Sequence, residues 1–219
     1  MNIDVPLSTE ITSLCRLMQT HGSDKGGAEG VNHYGNKLPR HVYTTYYYPL
    51  FRPVQSSKLR VFELGIGSTN SFPYNMGRHG IPGASLRAWK EFFVNSDIFG
   101  ADIDQSILFE ENRIKTFYVD QGSSESIHSM WSHPDLEESF DIIIDDGCHE
   151  FDFNVRFFEN SFHKLKNGGV FIIEDICSIE SRWLEKIEQW RKQYEINEAR
   201  YFSINNPNYG LDVVLVIQK

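Results

Sequence analysis

The sequence predicts an α/β fold, with strands and helices alternating around a doubly wound, mostly parallel sheet. Three observations predict it. Apolar runs of strand length alternate with stretches whose apolar residues recur at helical spacing, the signature of β-α-β units. Four of these runs end in carboxylates: Asp102 and Asp104, Asp120, Asp145 and Asp146, and Glu174 and Asp175. One run, FELGIGS at 62–68, passes directly into two glycines. In open α/β sheets ligands bind beyond the carboxyl ends of the strands. Acids gathered along that edge repel one another unless cations or hydrogen-bond donors offset them, so they mark a site better than they mark a row of helix caps.

The elements follow in order. STEITSLCRLMQT (8–20) places Ile11, Leu14, Leu17 and Met18 at helical spacing, and Ser8 can cap its start. HGSDKGGAEGVNHYGNKLPRH is glycine-rich and polar, as expected of a loop or lid. HVYTTYYYPLF (41–51) reads as a helix with an aromatic face, ended by Pro53. LRVFELGIG (59–67) is a buried strand and SLRAWKEFF (85–93) a helix. DIFGADID (97–104), IKTFYVDQG (114–122) and SFDIIIDDG (139–147) are strands with acidic ends. FNVRFFENSFHKL (153–165) is a helix, with Gly168 and Gly169 as its stop signal. GVFIIEDI (169–176) is a fifth strand and RWLEKIEQWRKQY (182–194) a further helix. ARYFSI and LDVVLVIQK flank NNPNYG as an antiparallel pair. The count is seven strands. Residues 1–55 are expected as an N-terminal helical segment and lid, and residues 56–219 as one globular unit.

Composition narrows the function. The 219-residue chain is 40% hydrophobic and 14% aromatic, enough for a full core. Its formal charge of −9 argues against a nucleic-acid partner held by phosphate contacts. It leaves room for a small-molecule substrate in a local pocket. Cys15, Cys148 and Cys177 lack CxxC spacing and fit a reduced, cytoplasmic setting. MNIDVPLSTEITSLC has no long apolar run, so neither a signal peptide nor a membrane span is expected. Aromatic-rich segments at 43–51 and 183–201 suit a homo-oligomer contact and suit packing inside a monomer equally well.

The glycine turn argues against an NAD-dependent oxidoreductase, the rival on the same fold. A dinucleotide fingerprint would continue as G-x-G-x-x-G, but Ser68, Thr69 and Asn70 follow Gly67. Along the same edge, Asp146 ends one strand and Glu174 and Asp175 end another. Neighbouring strands lie about 4.8 Å apart, so these oxygens can converge on one ion, and clustered oxygen ligands suit Mg²⁺. His149, three residues past Asp146, is the candidate general base because its pKa lies near neutrality. Its other reading is a cap for the helix that follows. Asp145 is left outside the metal set, and Cys148 is read as a small filler.

The E-x-G-x-G of 63–67, with an acid ending the next strand, resembles the first two motifs of class I S-adenosylmethionine (SAM) methyltransferases. GASLRAWKEFFVNSDIFGADID, FYVDQ, IDDGCHEFDFNV and GGVFIIEDI resemble the macrolide-sugar O-methyltransferases and their cephalosporin hydroxylase-like relatives. SDK (23–25) and HVYTTYY (41–47) resemble that group's N-terminal signature. The resemblance covers most of residues 23–176, and departs from the group in GGAEGVNHYGNKLPR and FPYNMGRHGIP. It implies that Gly65 and Gly67 pass close to the methionine part of SAM, with Glu63 helping to hold it. Asp102, with Asp104 as its rival, would accept from the ribose hydroxyls. Asp120, beside Gln121, would accept from the adenine amino group. Ser85 would reach the methionine carboxylate or simply cap a helix. A metal at Asp146, Glu174 and Asp175 is implied too. The expectation is a Rossmann-like, seven-stranded, mostly parallel sheet with an antiparallel C-terminal strand. Its function would be SAM-dependent, Mg²⁺-assisted methylation of a sugar hydroxyl in a glycan precursor or glycosylated natural product. A catechol or a phosphorus-linked oxygen in capsule modification is the alternative acceptor, and a non-catalytic SAM-fold binding protein the alternative class.

Overall fold

The computed structural model describes residues 2–6, 10–26, 41–69, 81–176, 181–206 and 210–219. Its elements run β1 (Asn2–Val5), α1 (Ser13–His21), α2 (Thr44–Phe51), β2 (Arg60–Leu64), α3 (Ala84–Phe92), β3 (Asp97–Asp102), β4 (Glu110–Glu111), β5 (Ile114–Tyr118), α4 (Ser124–Trp131), β6 (Phe140–Asp145), α5 (Phe151–Ser161), β7 (Leu165–Ile173), α6 (Ser181–Gln193), β8 (Glu198–Asn206) and β9 (Gly210–Gln218). One sheet takes in all nine strands in the order β1-β8-β9-β7-β6-β2-β3-β5-β4. The central strands β7, β6, β2, β3 and β5 are parallel. β9 is antiparallel to β7, and β8 to β9. The chain leaves β2 toward β3 and β5, then returns to β6 on its other side, so the switch point lies between β2 and β6.

Both faces of the sheet are covered, which explains why its strands read as near-continuous apolar runs. Side chains of alternate residues go to opposite faces. Phe62, Phe171, Ile173, Leu215 and Ile217 enter one core with Trp131 of α4, Phe157 and Phe158 of α5, and Trp190 of α6. Val61, Ile172, Val214 and Val216 enter the other with Leu14 and Met18 of α1, Tyr47 and Phe51 of α2, and Trp89 of α3.

Nine strands stand where seven were expected. The two extra ones, β1 and β4, lie at the sheet edges. Asn2–Val5 alternates polar and apolar over only four residues and gains its strand hydrogen bonds from β8. Glu110–Glu111 is two residues long. The helix α4 was also missed. It is capped by Ser123, whose side chain accepts from Ser126 N, and it buries Ile127, Met130 and Trp131. α1 is capped by Thr12, whose Oγ1 accepts from Cys15 N at 3.2 Å, and ends at Gly22 in the left-handed region. The expected cap, Ser8, lies outside the described residues, as do Asn70, Cys177 and most of both departing loops. Gly168 and Gly169 do not stop the helix. α5 ends at Ser161, and the glycines lie in β7, where pairing with β6 shifts register between Phe140 and Ile142. Among the described residues no helix is long and apolar enough to cross a membrane.

Candidate active site

Strand register assembles the site. Leu64 pairs with Ala101 on one side and Asp145 on the other, and Asp145 pairs with Ile173. The residues one step further along are therefore neighbours. Gly65 N donates to Ala101 O, Asp146 N to Leu64 O and Glu174 N to Asp145 O, each at 2.9 Å. Gly65 has φ of 84°, and a Cβ there would overlap the Asp146 carbonyl oxygen. Only glycine meets both demands. His149 (φ 61°) and Asp175 (φ 52°) also adopt the left-handed region. For residues with a Cβ that conformation costs energy and clusters at functional sites.

A cleft of about 200 Å³ opens over these strand ends. Gly65, Gly67, Ser85, Asp102, Asp120 and Gln121 line one part; Asp146, His149, Glu174 and Asp175 line the other. Glu63 does not line it. It is fully buried, accepting from Ser85 Oγ and Trp89 Nε1 at 2.5 Å each. Ser85's hydroxyl thus faces Glu63, and burial raises the Glu63 pKa. Asp102 accepts from Ile66 N and Asp104 N, both at 2.9 Å, which fixes its carboxylate at the glycine turn. Asp104 instead caps the short turn Gln105–Ile107 and accepts from Ser68 Oγ at 2.7 Å. Asp120 accepts from Gly122 N at 2.8 Å. Gln121 is engaged at both ends of its amide: Nε2 donates to both Asp145 oxygens, at 2.9 and 3.0 Å, and Oε1 accepts from Cys148 N. It holds the Asp145–Cys148 turn in place. Glycines with positive φ at a strand end and an acid ending the next strand fit a bound nucleoside.

The other part is built from acids and an imidazole. His149 Nε2 lies 3.1 Å from Asp146 Oδ1 and 3.4 Å from Asp175 Oδ2. Burial pulls the His149 pKa down. The hydrogen bond to Asp146 and the charges of Asp175, Asp146 and Asp145 outweigh burial and push it up to about 8. Among the described residues, Asp146, His149 and Asp175 offer donor atoms that all lie within 4.8 Å of one another. Two carboxylates and an imidazole fit a divalent cation. Glu174, expected in that set, is not one of these three, although it lines the same cleft and shares Lys25 with Asp146. It is buried, with Oε2 facing Lys25 Nζ at 2.5 Å and Oε1 accepting from Tyr47 OH. Asp145 is fully buried between Gln121 and Asn154 Nδ2, and burial raises its pKa to about 7. Burial also pushes the Cys148 thiol up to about 11, which argues against a nucleophilic thiolate.

Sequence reasoning missed the donors. Lys25 Nζ also lies 2.5 Å from Asp146 Oδ2 and 3.8 Å from Glu63 Oε1. Tyr43 OH donates to Asp175 Oδ1 at 2.6 Å. His41, stacked on Tyr43, lies 3.1 Å from Asp212 and 3.7 Å from Asp175. The signal was the run of tyrosines in HVYTTYYYPLF. A buried tyrosine brings a hydroxyl that must find a partner, and strand-end acids are the partners available.

Comparison with known proteins agrees with this geometry. No family model matches the chain. It is 31% identical over 167 residues to an 8-demethyl-8-alpha-L-rhamnosyl tetracenomycin-C 2'-O-methyltransferase of Streptomyces olivaceus, covering 76% of this chain and 38% of that protein. It is 35% identical over 137 residues to a mycinamicin VI 2''-O-methyltransferase of Micromonospora griseorubida, covering 62% of this chain and 32% of that protein. The chain spans between 32% and 38% of the length of the curated relatives it matches. Its structure superimposes on MycE methyltransferase from the mycinamycin biosynthetic pathway with a TM-score of 0.67 and 26% identity, over 97% of this chain and 56% of MycE. MycE has been solved in complex with Mg and SAH, and also with Mg, SAH and mycinamycin VI.

Proposed function

We propose, for a chain that carries the class I methyltransferase fold and is related to the macrolide-sugar O-methyltransferases, a SAM-dependent methylation of a sugar hydroxyl in a glycan precursor or glycosylated natural product. The observation that carries this reading is His149 Nε2, set between Asp146 and Asp175 at the edge of a glycine-floored cleft. The complexes of MycE with Mg and SAH support both cofactors.

SAM would supply the methyl group, and a divalent ion such as Mg²⁺ would neutralise Asp146 and Asp175, acidify a sugar hydroxyl and withdraw the charge that keeps His149 protonated. The chain's residues do the rest. Gly65 and Gly67 would let the backbone approach the cofactor, and Asp102, its carboxylate fixed at the glycine turn, would hold the ribose. Asp120, at the next strand end, would accept from the adenine amino group. Asp146 and Asp175 would hold the ion, with His149 beside it and not bound to it. Neutral His149 takes the hydroxyl proton on Nε2. Methyl transfer from a sulfonium is an in-line displacement, so orientation and deprotonation are what the protein contributes. The acceptor is a small molecule.

Calorimetric titration of metal-stripped protein with S-adenosylhomocysteine (SAH), then with Mg²⁺, tests the reading. Micromolar binding of SAH followed by a Mg²⁺ signal that Asp146→Ala abolishes is the expected result. Folded protein that binds no SAH overturns it.

A further inference from the structure

Lys25 stands among the acids at a point where the proposed reaction has no use for an ammonium. Its side chain is 3% exposed. It contacts Asp146 Oδ2 and Glu174 Oε2 at 2.5 Å and faces Glu63 Oε1 at 3.8 Å. The remaining oxygens of the same acids have other partners. Asp146 Oδ1 faces His149, Glu174 Oε1 accepts from Tyr47 and Glu63 Oε2 accepts from Trp89, while Ser85 donates to the Glu63 Oε1 that faces Lys25. Among the described residues Lys25 is the only lysine or arginine in contact with these three acids.

Buried carboxylates left without a cation repel one another and bear the full cost of desolvation. Lys25 offsets that cost in the chain as it stands. A divalent ion on Asp146 and Asp175 would do the same work with two charges, and would share the Asp146 carboxylate with the ammonium. Like charges on one carboxylate oppose each other strongly in a poorly solvated site.

We propose that Lys25 is an internal counter-cation that keeps Glu63, Asp146 and Glu174 assembled without metal and, by its charge, weakens the site's hold on a divalent cation so that the ion remains exchangeable. The proposal rests on the divalent-ion reading above. It differs from a purely positioning role in the sign of one measurement. Removing a positioning residue loosens the ligands and weakens metal binding; removing a competing charge strengthens it.

The test is Lys25→Met in the full chain, titrated with Mg²⁺ in the presence of SAH and followed by thermal unfolding with and without Mg²⁺. The expected variant binds Mg²⁺ at least about tenfold more tightly than wild type. It has a lower Tm without metal, and gains more in Tm on adding Mg²⁺. If Lys25→Met does not fold, Lys25→Gln keeps a donor, drops the charge and gives the same comparison. Weaker or unchanged Mg²⁺ binding in a variant of a wild type that binds Mg²⁺ overturns the proposal alone. Wild type that binds SAH and no Mg²⁺ overturns the divalent-ion reading, and this proposal with it.

Discussion

The strand ends and the N-terminal segment meet in one cluster and divide its chemistry. The ends of β2, β6 and β7 supply acceptors: Glu63, Asp146, Glu174 and Asp175. The stretch from Lys25 to Tyr47 supplies donors: Lys25 to Asp146 and Glu174, Tyr43 to Asp175, Tyr47 to Glu174. The strand ends are ordered by sheet register and need no partner to be placed. The N-terminal donors are placed by packing in a different core, where Tyr43 and Tyr47 sit among Phe51 and Trp89. Side chains that would repel one another as a bare acid row are thereby held by groups the sheet does not contain. Strand ends set where the charge is; the N-terminal segment sets which oxygen is left for His149.

The largest effect tests the acceptor side. His149→Ala should lower turnover on a competent sugar acceptor by roughly 10²- to 10⁴-fold, with SAH affinity within about threefold of wild type. Full turnover in this variant would remove His149 as base. On the donor side, Tyr47→Phe should leave Glu174 Oε1 without its buried donor and cost about 1–3 kcal/mol in denaturant unfolding. No loss of stability would mean the hydroxyl is not needed to hold Glu174.

A pH series on the metal-free protein separates the two regions. The His149 pKa, about 8 when folded, exceeds its ordinary value near 6.5. Its stabilising contribution is therefore complete below about pH 6.5 and is lost as pH rises through 8, about 2 kcal/mol in all. Asp145 acts in the same direction at lower pH, since its folded pKa of about 7 lies above its ordinary value. Unfolding of His149→Gln should lack the decline between pH 6.5 and 8 and keep the earlier one. An unchanged profile would show that His149 is not bound to the acids in solution. The smallest effect is expected from Tyr43→Phe. It should cost about 0.5–1.5 kcal/mol, because Asp175 is 20% exposed and water can replace the hydroxyl. A larger loss would put Tyr43 on a par with Tyr47.

Legibility followed the same division. FELGIGS, DIFGADID and FDIIIDD could be read as strands ending in functional groups because one apolar run and its terminus lie within a few residues. α4 was legible as well, through Ser123 and the spacing of Ile127, Met130 and Trp131, and was passed over. β1 and β4 were not, since an edge strand of two to four residues is defined by its neighbour's hydrogen bonds. Glu174 looked equivalent to Asp175 by position. Both line the cleft, but Glu174 is engaged by Lys25 and Tyr47 while Asp175 faces His149. Ser85 and Gln121 looked available to a ligand until Glu63 and Asp145, both buried, were seen to claim their polar atoms.

The sequence alone determined the α/β class, the parallel core of the sheet and the edge along which acids collect, because alternating apolar periodicity and glycine turns are local. Only the tertiary structure decided that Lys25, 121 residues from Asp146, neutralises part of that edge, and that Tyr43 and Tyr47 hold the acids behind His149. Those contacts join residues more than a hundred positions apart. They exist because the core on one face of the sheet seats α1 and α2 beside the strand ends.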